Sequence, residues 1–224
     1  MNRLLLAATA AATLATPLAA YADPPQHLVD SATLSVESMM DSSEGHEAAQ
    51  FLRHAKAVVV CPNIFRAGFM FGGEGGGCVM VARGINGGWS DPAFYTMGSG
   101  SFGLQIGIQS AQVMMMVMTE GGLNALLNSQ FKIGADAGLT VATLGAGVNG
   151  AMSTALDADI VSFSKSEGLY GGISLSGAIL SDDAGTDQHY YGAPLDARQI
   201  VVNMQGANPG ANPLREMLTR YGGG

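Results

Sequence analysis

GGWSDPAFYTMGSGSFGLQIGIQSAQVMMMVMT, running from Gly87 to Thr119, is the stretch whose reading decides the fold. Between Phe102 and Ile108 the apolar residues Phe102, Leu104, Ile106 and Ile108 alternate with Gly103, Gln105 and Gly107, the period-two pattern of a strand with unequal faces. One face is bulky and the other nearly bare. Gln109, Ser110, Ala111 and Gln112 then read as a polar turn, and Val113 to Met118 is an unbroken apolar run short enough to be a buried antiparallel partner strand. The stretch predicts a hairpin.

Upstream, Gln26 to Met40 places Leu28, Val29, Ala32, Val36, Met39 and Met40 at helical spacing behind Pro24 and Pro25, and Glu44 to about Ala55 repeats the pattern with Ala48, Phe51, Leu52 and Ala55. Two amphipathic helices are expected, each lidding a core. Ala57 to Cys61 reads as a strand stopped by Pro62. Ala67 to Phe71 and Val79 to Ala82 read as strands around a glycine turn at Gly72, Gly73, Gly75, Gly76 and Gly77, and Phe94 to Met97 as a further short strand. Downstream, Gly121 to Asn128 is a brief helix with Leu123, Leu126 and Leu127 inward, and Phe131 to Leu144 returns to alternation. Ile160 to Phe163 and Gly171 to Leu180 read as strands joined by a turn at Ser166, Glu167 and Gly168. Asp182 to Asp187 is expected as an acidic loop, Gln199 to Met204 as a last strand and Pro213 to Tyr221 as a terminal helix. The fold class predicted is α+β: a glycine-rich antiparallel sheet or barrel-like core, two N-terminal amphipathic helices and short accessory helices.

Met1 to Ala22 carries Arg3, an apolar run from Leu4 to Ala15 and an A-x-A site at Ala20 to Ala22, the pattern of a secretory signal peptide. Residues 23–224 then form a single domain, and a short alanine-rich leader suggests a bacterial exported protein, periplasmic or secreted and peripheral to a membrane at most. Charged residues are 12% of the chain, against about a quarter in typical domains, while there are 32 glycines, about twice the usual share. The formal net charge of -8 argues against nucleic acid and against a global electrostatic pull towards anionic lipid.

No catalytic constellation emerges. Gly98, Gly100 and Gly103 satisfy G-x-G-x-x-G, but a strand follows where a helix must hold the pyrophosphate. Gly145, Gly147 and Gly150 satisfy it again without room for a dinucleotide-binding unit. His27, His46, His54 and His189 have no metal-ligand spacing, Asp182, Asp183 and Asp187 lack the EF-hand spacing, and no serine sits in a nucleophile elbow. No enzyme, cofactor or metal is therefore expected. An outer-membrane barrel is disfavoured because Val113 to Met118 has no polar lumen face. Cys61 and Cys78 are the only cysteines; a disulfide and two small buried core residues are both open readings.

The blocks GGWSDPAF, GSGSFGLQIGIQS and VMMMVMT, with AKAVVVCPNIFRAGFMFGGEGGG (from Ala55), FKIGADAG (from Phe131), ADIVSFSKSEGLYGGISLSGAIL (from Ala158) and YYG (from Tyr190), resemble the SYLF lipid-binding domain family in its order. The resemblance implies phospholipid binding, with cations for the phosphate and glycine-thinned strands for the acyl chains. Lys56, Arg66, Arg83, Lys132 and Lys165 are the basic residues in the matched blocks, Arg66 and Lys165 standing where the family often has a basic residue; Trp89 suits a bilayer interface. Glu167 stands where the family often has a cation, which argues against strong phosphoinositide recognition. Actin binding, reported for some fungal members, is expected to be unlikely here. The rival class is a structural or adhesive envelope protein without a lipid ligand.

Overall fold

The structure, a computed structural model, describes residues 24–43, 45–68, 71–102, 107–128, 130–133, 141–144, 157–167 and 177–223. The expected signal peptide, the alternation at 103–106, the second glycine motif at 145–150 and most of the strand expected at 171–180 lie outside these residues. The described helices are α1 (Pro24–Met40), α2 (Gly45–His54), α3 (Glu120–Leu126), α4 (Ala184–Tyr191), α5 (Ala197–Val201) and α6 (Asn212–Gly222). The strands are β1 (Ala57–Gly68), β2 (Phe71–Ala82), β3 (Ala93–Phe102), β4 (Gly107–Val117), β5 (Gln130–Lys132), β6 (Val141–Leu144), β7 (Ile160–Glu167) and β8 (Ile179–Asp182). They form one sheet in the order β5-β8-β3-β2-β1-β4-β7-β6. Seven strands run antiparallel in a curled half-barrel, and β6 joins the edge parallel to β7. The α+β expectation holds.

Both faces of the central strands are buried, which is why VVVC and MMMV carry no polar alternation. On one face Val58, Val60, Val79, Val81, Phe94, Met114, Met116 and Phe163 pack beneath α1, α2 and α6, which contribute Val36, Leu52 and Leu218. We call this the helix face. On the other face Val59, Met80, Tyr95, Val113 and Met115 meet Leu123 and Leu126 of α3, Phe131 of β5 and Ile200 of α5.

The central hairpin expected from the opening stretch does not form. β4 pairs with β1 and β7, and β3 pairs with β2 and β8, so β1 and β2 lie between the two strands in a Greek-key order. Their separation, three inter-strand steps of about 4.8 Å, is within reach of the peptide links from Phe102 to Gly107. Gln109 to Gln112, expected as a turn, are part of β4. Pro62 does not stop β1: the strand continues through a one-residue bulge between Cys61 and Ile64, where the missing proline N–H breaks no regular ladder. Nor is the glycine run a turn. Gly72 to Gly77 pair with β3, Gly72 to Gly75 pair also with β1, and a Cβ on Gly76 would collide with the Asn63 carbonyl that the bulge pushes towards it.

Three more local expectations give way to helix caps and pairing. Asp183 caps α4 through Thr186 N–H, and Gly192 closes it at φ 66°, so the acidic stretch is a helix start. Asp196 and Gln199 form a capping box that starts α5 where a last strand was expected. Ser166 and Glu167, expected in a turn, pair with Ala111 and Ser110 at the end of β7. The expected helices at 121–128 and 213–221 are α3 and α6.

Cys61 and Cys78 form a disulfide across β1 and β2, with Cα atoms 4.1 Å apart and both residues fully buried. The bridge spans a sequence separation of 17 and ties the bulge to β2. Replacing both cysteines by alanine is expected to lower the unfolding free energy by about 3 kcal/mol, the loop-closure contribution for a ring of this size. Urea denaturation with and without reductant checks this: the wild type in reductant should approach the double variant, and coincident midpoints under all conditions would exclude a stabilising bridge.

Candidate functional site

The β1 bulge and α1 together open a cleft of about 280 Å³ on the helix face. Helix α1 crosses the sheet with Leu28 seated on the bare backbone of Gly77, and its next turns present Ser31, Leu34 and Ser35 to the cleft. The floor is polar. Asn63 comes from the bulge, Ser110 and Gln112 from β4, and Lys165 from β7, where it follows Phe163 by two residues and shares its face. Lys165 stands opposite Gln112 in the ladder, and its Nζ donates to Ser38 Oγ of α1 at 2.8 Å. Ser110 Oγ donates to Asn63 Oδ1 at 2.6 Å. Gln112 Oε1 is buried and accepts no hydrogen bond among the described residues.

Two large apolar side chains stand out beside this polar floor. Leu34 is 66% exposed on the cleft wall, and Phe65, paired with Ser110, is 48% exposed. Further along the helix face, Gly73, Gly98 and Gly100 leave the sheet bare: a Cβ on Gly100 would meet nothing within 4 Å. The glycine-thinned surface is thus divided. Leu28 covers Gly77, and among the described residues the end beyond the bulge, at Gly73, Gly98 and Gly100, is open.

The six residues expected to bind lipid do not converge. Lys56 lies just before β1 and forms an ion pair with Glu120 at 2.8 Å. Arg83 sits beside it, its N–H bonding Lys56 O, but its guanidinium faces inward. Nε donates to Ala55 O at 3.3 Å, Nη1 to Gly87 O and Gly223 O, and Nη2 to Leu52 O and Gly222 O. All five N–H bonds of the fork are engaged, holding together the C-terminal ends of α2 and α6. Its plane lies 4.3 Å from the Trp89 ring centroid. Trp89 is 2% exposed and belongs to the core, so it does not present an indole to a bilayer. Arg66 stands opposite Glu74 and Gln109 in the ladder, and Lys132 is exposed on the edge strand β5. Of those six whose side chains are described, Lys165 lines the cleft.

The sequence reading missed the cleft's neutral partners. Ser31, Ser35 and Ser38 follow helical spacing on α1, a stripe that the search for cations and apolar faces passed over. Asn63 and Gln112 had no signal, because only the bulge and the β4–β7 pairing bring them to one place.

The Ysc84 family, described as Las17-binding protein actin regulators, matches residues 98–221. The chain is 27% identical over 172 residues to LAS seventeen-binding protein 3 of Saccharomyces cerevisiae, covering 75% of this chain and 37% of that protein. It is 26% identical over 172 residues to Protein YSC84 of the same yeast, covering 75% of this chain and 36% of that protein. Human SH3 domain-containing YSC84-like protein 1 is 25% identical over 174 residues, covering 77% of this chain and 51% of that protein. The chain therefore spans about a third to a half of the length of these relatives. The expectation that actin binding is unlikely is overturned, since the relatives are named for Las17 binding and the matching family is described as actin regulators.

Proposed function

The chain belongs to the Ysc84 family, the SYLF-domain family, whose members are binding and regulatory proteins, and from that premise we propose that it works as a non-catalytic module docking on phospholipid membranes through the α1–β1–β4–β7 cleft. The observation that carries this reading is the placement of Lys165 and a row of hydroxyls between two exposed apolar side chains, Leu34 and Phe65. A cation engages a phosphate while neighbouring apolar groups enter the interfacial layer. At about 280 Å³ the cleft has room for a headgroup and not for acyl chains, so the chains stay in the bilayer. This replaces the expected shelter of acyl chains along the glycine strands, part of which α1 and the bulge already fill.

An exported location is the accompanying reading. It is supported by the leader pattern of Met1 to Ala22 and by the Cys61–Cys78 disulfide, which persists in oxidising compartments. The names of the relatives support a second reading, a protein partner of the actin machinery, tested by co-sedimentation with actin filaments.

Sedimentation of the full domain with zwitterionic vesicles, and with vesicles of rising anionic content, tests the membrane reading. Salt-sensitive pelleting that rises with anionic lipid is expected. Lys165→Ala is expected to weaken it about fivefold to tenfold, the loss of one charge-assisted contact, and Leu34→Ser with Phe65→Ser by at least as much. Absence of pelleting at every composition, or binding indifferent to all three substitutions, would remove the proposal.

A further inference from the structure

We propose that the cleft selects a headgroup bearing a single phosphate charge and free hydroxyls, of the phosphoglycerol type, over polyphosphorylated headgroups; this rests on the membrane reading above. Among the described residues the lining supplies one cation, Lys165, against five neutral hydrogen-bonding side chains, Ser31, Ser35, Asn63, Ser110 and Gln112. A polyphosphorylated headgroup needs several cations to replace its lost hydration, and one ammonium cannot do this. Neutral hydroxyls fit the rest of the floor, because Ser and Asn side chains both donate and accept. Gln112 Oε1 is the sharpest indication. It is a buried acceptor with no donor among the described residues, and an O–H reaching it after a small rotation of the amide relieves that unmade bond. A phosphate oxygen, an acceptor only, would do nothing for it.

The test uses phosphatidylcholine vesicles doped with phosphatidylglycerol, phosphatidylserine or a phosphatidylinositol bisphosphate at matched total charge. Binding to phosphatidylglycerol is expected to be about tenfold tighter than to phosphatidylserine, the worth of one recovered hydrogen bond, and the bisphosphate should bind no tighter than phosphatidylglycerol. Gln112→Met is expected to abolish the preference, bringing binding to phosphatidylglycerol down about tenfold to the level of phosphatidylserine measured on the same variant. Ser31→Ala with Ser110→Ala repeats the test without altering a buried amide. Soluble glycerophosphoglycerol at millimolar concentration should displace the protein from phosphatidylglycerol vesicles. Equal binding at matched charge, or tightest binding to the bisphosphate, would overturn this inference and leave the membrane reading standing. A phosphatidylglycerol preference that soluble headgroup cannot compete with would locate the selectivity in the bilayer and equally overturn the cleft. Failure to bind any vesicle instead defeats the membrane reading itself.

Discussion

The Arg83→Met variant is expected to unfold about 4 kcal/mol more easily than the wild type, with a melting temperature lower by about 10 °C, and to bind vesicles as the wild type does wherever it remains folded. The basis is the engagement of its five N–H bonds with the carbonyls of Leu52, Ala55, Gly87, Gly222 and Gly223. Leu52 and Gly222 lie in the last turns of α2 and α6, where carbonyls run short of intrahelical donors and the helix dipole favours a cation. Methionine keeps an aliphatic chain and removes both the five bonds and the guanidinium over Trp89, so the loss measures the clamp together with that cation–π contact. Lysine should recover little, because one ammonium cannot reach five diverging acceptors. Thermal denaturation and vesicle sedimentation of the same preparations separate the readings. A stable Arg83→Met protein that no longer pellets would return Arg83 to the lipid site; an unstable one that still pellets assigns it to the fold.

Arg83 also shows where a sequence reading stops. Composition, apolar runs and breakers are local, and they correctly indicated an α+β chain with two leading amphipathic helices and buried strands at Ala57 and Val113. Pairing is not local. The stretch from Phe102 to Met118 looked like a hairpin because consecutive strands usually are neighbours, yet β1 and β2 already occupy the positions between β3 and β4. Gln109 to Gln112 were taken for a turn, when the polarity of Ser110 and Gln112 reflects a cleft on one face of β4. The capping residues Asp183 and Asp196 with Gln199 were visible as a pattern, and reading them as caps would have placed α4 and α5. At the site the failure was of a different kind: a list of cations cannot distinguish Lys165, at a cleft, from Arg83, whose donors are all used internally. Only the fold makes that distinction.

The same limit applies to Asp187, which looked like part of a solvated acidic loop and is 1% exposed. Its Oδ1 accepts from Phe94 N–H at 2.9 Å, while Oδ2 is buried with no donor among the described residues. Burial, reinforced by Asp183, Asp182 and Asp196 and opposed by the Phe94 bond, pushes its carboxyl up to about 7. Burial raises the phenols of Tyr95 and Tyr191 in the same region, and the charge of Asp187 adds to both shifts. The folded protein therefore holds a proton that the unfolded chain, with an ordinary carboxyl near 3.8, has released. Stability from this group is complete below the unfolded value and is lost as pH rises through about 7, a swing on the order of 4 kcal/mol. Asp187→Asn keeps the acceptor for Phe94 and cannot ionise, so relative to the wild type it should gain stability steadily as pH rises from 3.8 to about 7 and hold that gain at higher pH, removing the slope between. Urea midpoints across that range decide the matter. Parallel pH profiles for the two proteins would show that Asp187 titrates as an ordinary surface carboxylate, whereas a profile flattened only in the variant identifies this one side chain as the group that ties the stability of the β3–α4 junction to pH.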